Sequence, residues 1–419
     1  MEKVFISKII INKVRHLEKL EIPLAGDEMK HLIITGKNGS GKTSLLDRMA
    51  LFLDAVIYFD DTDNIDQNME KDSEELYDAG NILLAESKEK NGGTFQRRAT
   101  AYEKGIQRRT CGVELETVPS ISDIPLLFRE GKFVAAYYRA DRIFQAQVPK
   151  YVEKVELKNG YFINETPRKD FIRYLLDLKM TEALAVANGK GERAQQIRTW
   201  FEKFQDLLKK IFENDSVRLV FDEDTFRFSL EMDGRESFDF NTLSSGYAAI
   251  MDIVVDLIIR MEKHSSRIFD FSMPGIVLID EIETHLHLEL QRKILDILTT
   301  VFPNVQFIVS THSPFILNSL ENVVIYDLEN KLLVENGLSD IPYSGIVEGY
   351  FNADEMSMKL REKYDRYKEL IYKQDLTDDD FDEIADLELY LDEIPDYLAL
   401  NITTEYQRLK QELRKRDDI

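Results

Sequence analysis

The octapeptide Gly36-Lys37-Asn38-Gly39-Ser40-Gly41-Lys42-Thr43 limits the fold of this chain more than any other segment. Its spacing, G-x-x-x-x-G-K-[ST], carries meaning only where a strand runs into the glycine-rich turn and a helix leaves it. Both flanks meet that demand. Residues 31–35 are a short apolar run, and residues 43–55 place leucines and methionine at helical spacing. Strands are also expected at 4–12 and 17–24, pairing with each other, and at 132–138. Further strands at 275–280, 305–310 and 323–326 alternate with helical segments, which predicts an α/β fold with a mainly parallel sheet flanked by helices.

The chemistry of the octapeptide follows from its residue types. Glycines at 36, 39 and 41 let backbone N–H groups approach an anion with no Cβ in the way. Those amides, with the start of the following helix, suit phosphate groups. Asn38, Gly39, Ser40, Gly41, Lys42, Thr43 and Ser44 are therefore candidate nucleotide-binding residues, with Lys42 supplying positive charge and Thr43 a hydroxyl for Mg²⁺. About 240 residues on, Ile276-Val277-Leu278-Ile279-Asp280-Glu281 reads as a buried strand ending in two carboxylates. Asp280 is placed to hold Mg²⁺ and Glu281 to orient or deprotonate an attacking water. The expected cofactors are ATP and Mg²⁺.

Two further segments belong with these. Leu243-Ser244-Ser245-Gly246 opens a long apolar helix, so Ser244, Ser245 and the Gly246 amide can meet an anion. Ser310-Thr311-His312-Ser313-Pro314-Phe315 follows a strand, and His312 there can bond a γ-phosphate. His285 and His287 lack the H-E-x-x-H spacing of a zinc helix.

Composition bounds the partners. No run of 18 apolar residues suggests a membrane span, and the N-terminus lacks a signal-peptide h-region, so a cytoplasmic protein is expected. The single cysteine, Cys111, excludes an internal disulfide. The net charge of −23 is uneven: residues 374–407 hold twelve acidic residues and no Lys or Arg, leaving −11 on the rest. Residues 86–110 are locally basic, through Arg97, Arg98, Arg108 and Arg109 among others, and are a candidate DNA contact.

Taken in order, these motifs resemble the ATPase heads of the ABC class, in the SMC-like and OLD-type branch. The resemblance implies Walker A at Gly36–Thr43, the signature at Leu243–Gly246, Walker B at Asp280 with catalytic Glu281, a D-loop at 283–287 and the switch histidine at His312. It further implies that ATP is sandwiched between the P-loop of one head and the signature of another, giving a homodimer or higher oligomer. Two features depart from the class: Ser-Ser-Gly replaces Ser-Gly-Gly, and Leu288 stands where relatives often carry proline. The Q-loop residue is read as Gln145, with Arg139 or Arg142 the alternative phosphate-side contact.

Long coiled-coil arms, a Cys-x-x-Cys hook and a fused nuclease pattern are not seen in the sequence. Compact heads of this kind resemble the ATPase subunits of anti-phage systems of PARIS, Septu and retron type, which pair with a separately encoded effector, a nuclease. A RecF-like DNA-repair ATPase is the alternative. The expected organisation is a head at 1–59 and 241–330, a polar insertion at 60–131, a strand with helical insertion and hairpin at 132–240, and an acidic helical tail at 331–419.

Overall fold

The computed structural model describes residues 3–24, 26, 28–58, 111–142, 144–147, 149, 151–341, 345–346, 358–392 and 400–414. The chain forms two compact units, residues 1–341 and 342–419.

The first unit is built on a six-stranded sheet. Its strands are β3 (His31–Thr35), β5 (Val134–Tyr138), β8 (Gly275–Ile279), β9 (Val305–Ser310), β10 (Val323–Asp327) and β11 (Leu332–Val334). The order is β11-β10-β3-β9-β8-β5, with every pair parallel except β10 with β11. All five residues of β3, β8 and β10 are buried, as near-continuous apolar runs in a covered parallel sheet require. Parallel neighbours end on the same edge. The carboxyl ends of β3, β9 and β8 therefore bring residues 36–43, 310–313 and 280–281 side by side.

An antiparallel sheet, β2-β1-β4, contains β1 (Phe5–Val14), β2 (Leu17–Pro23) and β4 (Val113–Val118). Gln306, fully buried on β9, joins the two sheets: its amide accepts from Ile6 N–H at 2.7 Å and donates to the carbonyls of Ile6 and Lys30 at 2.9 and 2.8 Å. Helix α1 (Lys42–Tyr58) fills the space beneath with Leu45, Leu46, Met49 and Leu53.

The insertion holds helices α2 (Ile124–Arg129), α3 (Phe171–Ala187) and α4 (Gly191–Phe212). The stripe from Ile197 to Ile211 is buried on α4, so it is packing. Helix α5 (Ser245–Ser265) carries a buried ion pair, Arg260 Nε to Asp256 Oδ2 at 2.6 Å. Tyr138 of β5 donates to the same oxygen at 2.9 Å, and Arg260 reaches the Ala135 carbonyl. Leaving any of these groups unpaired in the interior is costly, so the network pins α5 to the β5 edge of the sheet.

Two expectations are revised, and the hairpin gains its turn. The stretch expected to be polar insertion up to 131 contains β4, whose Val-Glu-Leu-Glu alternation buries one face against β1. Strands do not stop at 330, because β11 adds to β10 and the first unit runs to Ile341. The hairpin of β6 (Arg218–Asp222) and β7 (Arg227–Glu231) turns at 223–226, where Asp222 Oδ1 accepts the N–H groups of Asp224 and Thr225. Asp233-Gly234 makes the next reversal, returning the chain to a bridge between Leu230 and Phe238.

Helices α6 (Leu288–Val301) and α7 (Pro314–Leu317) complete the first unit, and the second packs α8 (Met358–Tyr372), α9 (Asp378–Asp392) and α10 (Leu400–Leu413) around Tyr367, Ile384, Leu387 and Leu409. Thr377 and Asp380 cap α9 reciprocally: each backbone N–H donates to the other's side chain, at 2.8 and 3.3 Å. Part of the acidic run is neutralised within the unit, by Arg366–Glu383, Lys373–Asp380, Lys368–Glu405 and Lys410–Asp392 pairs. Among the described residues, no helix is long and apolar enough to cross a membrane.

His31 gives the first unit an acid sensitivity. It is buried at the start of β3, and its Nδ1 accepts the Phe307 N–H at 3.1 Å. Burial lowers its pKa from 6.5 to about 4. Below pH 6.5 the unfolded chain takes up a proton that the folded chain refuses, so stability falls as pH drops towards 4. The loss is roughly 3 kcal/mol by linkage. His31→Asn keeps an acceptor for Phe307, and its urea midpoint is expected to lose most of the slope between pH 6.5 and 4. An unchanged slope would refute this assignment.

Candidate nucleotide site

The loop between β3 and α1 has the backbone its glycines predict: φ is +133° at Gly36, +86° at Gly39 and +102° at Gly41. A Cβ on Gly36 would lie 2.8 Å from Ser40 Oγ, so the tight turn itself demands glycine there. Lys42 is buried and folds back over the loop, its Nζ donating to the Gly36 carbonyl at 2.7 Å and the Lys37 carbonyl at 3.2 Å. Burial lowers its pKa, opposed by the charges of Glu281, Asp280, Glu283 and Asp327.

Thr43, at the first turn of α1, donates from Oγ1 to Asp280 Oδ2 at 2.8 Å. The other oxygen of Asp280 accepts from Ser310 Oγ at 2.5 Å, and Ser310 Oγ in turn accepts the Glu281 N–H at 2.8 Å. The ends of three strands are thus tied through one buried carboxylate. Glu281 sits in the left-handed region, φ +45°, unfavourable for a residue with a Cβ. Thr284 Oγ1 donates to its carboxylate at 3.3 Å. Strain of this sort persists only where surrounding structure enforces it.

His312 lies at the end of β9, half-buried. Its backbone N–H donates to Glu283 Oε1 at 2.5 Å. Burial and the charge of Lys42 hold its imidazole pKa below 6.5, so the ring is neutral at pH 7 and offers one N–H donor. Ser313 Oγ donates to Gln291 of α6 (Leu288–Val301) at 2.6 Å and caps the short α7 (Pro314–Leu317) by accepting from Phe315 N–H. Leu288 is the first residue of α6, the position that proline also suits.

The expected residues fall into two places. Lys42, Thr43, Asp280, Glu281 and His312 converge at the sheet edge with Asn38, Gly39, Ser40 and Gly41. Ser44 lines an adjoining cleft of about 300 Å³ with Asp47, Tyr137 and Arg139. Ser244 and Ser245 lie elsewhere, exposed at the start of α5, and Ser244 makes no side-chain capping bond. Gly246 is buried there because a Cβ would meet the His285 carbonyl at 2.8 Å. Helix α5 packs on β5, three strands from β3, a span of about 14 Å at ordinary strand spacing.

Gln145 is exposed in the segment after β5. Both alternative arginines have partners within the chain. Arg139 pairs with Asp47 at 3.0 Å, and buried Arg142 donates to the carbonyls of Asp280, Glu281 and Ile282 at 2.9, 3.2 and 2.9 Å. Sequence reasoning placed Ser310 in the His312 segment and Arg142 as an alternative phosphate contact, and missed that both hold the Asp280-Glu281 turn. Ser310 had a signal, a lone hydroxyl ending an apolar strand, whereas Arg142 in a loop had none. The basic stretch 86–110 lies outside the described residues.

The residues present fit a nucleoside triphosphate with Mg²⁺. The turn has three left-handed glycines at the N-terminus of a 17-residue helix, and Ser40 Oγ is buried there without a partner. Mg²⁺ takes most of its ligands from phosphate and water and one or two from protein, which the Thr43–Asp280 pair can supply.

Fold and site together define an ABC-type P-loop head. Residues 32–318 match the family described as "AAA domain, putative AbiEii toxin, Type IV TA system", and the chain belongs to it. It is 30% identical over 143 residues to the Retron Ec83 probable ATPase of Escherichia coli, covering 33% of this chain and 26% of the relative. It is also 30% identical over 177 residues to the Septu protein PtuA of Bacillus mycoides, covering 40% and 24%. The matched segments thus span about a quarter of either relative's length. A solved SMC head bound to the C-winged helix domain of ScpA aligns with a TM-score of 0.40 at 13% identity, over 80% of this chain and 98% of that one.

Proposed function

We propose that this chain is an ATP-hydrolysing head that closes on a second copy of itself around ATP, and that it senses and holds a separately encoded effector, a nuclease, in bacterial anti-phage defence. One observation carries the first half. The P-loop follows β3 and Ser244-Ser245 start α5 beside β5, three strands away in the same sheet, with Ser40 Oγ buried without a partner and both signature serines exposed. A two-fold arrangement of two heads satisfies both, placing each signature over the other's P-loop.

Within one site, Thr43 and Asp280 would hold Mg²⁺, whose chemistry is to neutralise charge on the phosphates. Lys42 and the loop amides bind the phosphate oxygens. Glu281 takes the proton of the attacking water, and the neutral His312 ring donates towards the terminal phosphate. Hydrolysis then removes the group that both signatures grip, and the heads separate.

The second half rests on the relatives' names, a retron ATPase and a Septu protein. The test has two arms. Light scattering should give a doubled mass for Glu281→Gln with ATP and Mg²⁺ but not with ADP. Purification of the tagged chain expressed from its native operon should recover a second gene product. A chain that stays monomeric with ATP sinks the first half, and recovery alone together with unchanged phage sensitivity on deletion sinks the second.

A further inference from the structure

Arg142 has no part in the roles just assigned, yet among the described residues it is one of two buried arginines, 6% exposed. We infer that Arg142 is a positioning residue for hydrolysis: its guanidinium fixes the strained Glu281 turn and ties it to the signature segment of the same chain. This rests on the hydrolytic reading of Glu281.

The geometry is specific to a planar fork. Nη1 donates to the Arg139 carbonyl at 3.2 Å and the Asp280 carbonyl at 2.9 Å, while Nη2 donates to those of Glu281 and Ile282. Three successive carbonyls are therefore held by one rigid group, across the residue whose φ is +45°. An extended continuation of β8 would swing the Glu281 side chain off the line set by Thr43 and Asp280. A lysine reaches one of these carbonyls at a time and leaves the others unheld.

The same loop reaches the signature. Four residues on, Ala146 N–H donates to Asn241 Oδ1 at 2.9 Å, and Asn241 Nδ2 donates back to the Ala146 carbonyl at 3.1 Å. Asn241 lies three residues before Ser244, the N-cap of α5. Movement of the signature on engaging a second head is thereby passed to the loop that sets Glu281. From the other side, Gly246 lies so close to the His285 carbonyl that a Cβ there would meet it at 2.8 Å.

The experiment compares full-length wild type, Arg142→Ala, Arg142→Lys and Asn241→Ala in steady-state hydrolysis and ATP binding. Arg142→Ala is expected to lower kcat on the order of 10²-fold, the scale of an ångström's misplacement, with ATP Kd within about threefold of wild type. Arg142→Lys should fall between. Asn241→Ala should fold normally and flatten the dependence of rate on ATP concentration. In single turnovers, adding Arg142→Ala to Glu281→Gln should cost little more, because both act through one carboxylate. Equal losses in the two backgrounds would make Arg142 merely structural and overturn the inference. So would wild-type kcat in Arg142→Lys, which also serves if the alanine variant does not fold, and so would unchanged ATP dependence in Asn241→Ala. A wild type that binds ATP but does not hydrolyse it removes the hydrolytic reading itself, a different result from any of these.

Discussion

Glu281→Gln should bind ATP with near wild-type affinity and hydrolyse it about 10²- to 10⁴-fold more slowly, the range set by loss of a positioned general base. The substitution is nearly isosteric, and the Thr284 hydroxyl that donates to the carboxylate can donate equally to the amide oxygen. The Ser310 bond to the Glu281 N–H is a backbone contact and survives. The turn should therefore keep its shape and its strain, while the water loses its proton acceptor. On the proposed closure of two heads around the intact triphosphate, the variant should also accumulate as the ATP-bound dimer. Multiple-turnover phosphate release checks the first expectation. Hydrolysis at the wild-type rate would remove Glu281 from the mechanism.

The parts of the site legible in sequence are those built from local geometry. A glycine-rich turn between strand and helix needs no tertiary knowledge to place, and Gly36, Gly39 and Gly41 adopt the left-handed angles that their residue type anticipates. Strand-end residues were also readable, since in a parallel sheet the carboxyl ends share an edge. That rule brings Thr43, Asp280 and His312 together across about 270 residues of sequence. Residues acting through tertiary hydrogen bonds to backbone were not readable. Arg142 sits in a loop with no periodicity, and its partners are carbonyls, which carry no signature in side-chain chemistry. Gln306 was hidden for the same reason, lying in an apolar strand while serving another sheet's backbone.

The revised boundaries have a similar cause. Val113–Val118 was read as insertion because its alternation is half polar, yet one buried face is all that an antiparallel strand covering α1 requires. The charge of the tail is partly balanced in space. Its run of acids looks unbalanced along the chain, but the balancing Arg366, Lys368 and Lys373 come from the preceding helix and turn, and Lys410 from the following helix.

Lys42→Ala should weaken ATP binding by about 10²-fold or more, since a charge-assisted bond to a buried partner contributes about 1.5–3 kcal/mol and Lys42 can make more than one. Its ammonium donates to the carbonyls of Gly36 and Lys37, inside the loop that would wrap the phosphates. Four carboxylates around it, Glu281, Asp280, Glu283 and Asp327, oppose the effect of burial on its charge. Those same carboxylates would repel a triphosphate once the lysine is gone, so its removal acts twice, by lost attraction and by unscreened repulsion. The pair of variants then separates binding from chemistry: Glu281→Gln binds and stalls, and Lys42→Ala does not bind and does not dimerise. Titration calorimetry with ATP and Mg²⁺ reads the difference directly. Wild-type affinity in Lys42→Ala would place the nucleotide somewhere other than the loop between β3 and α1.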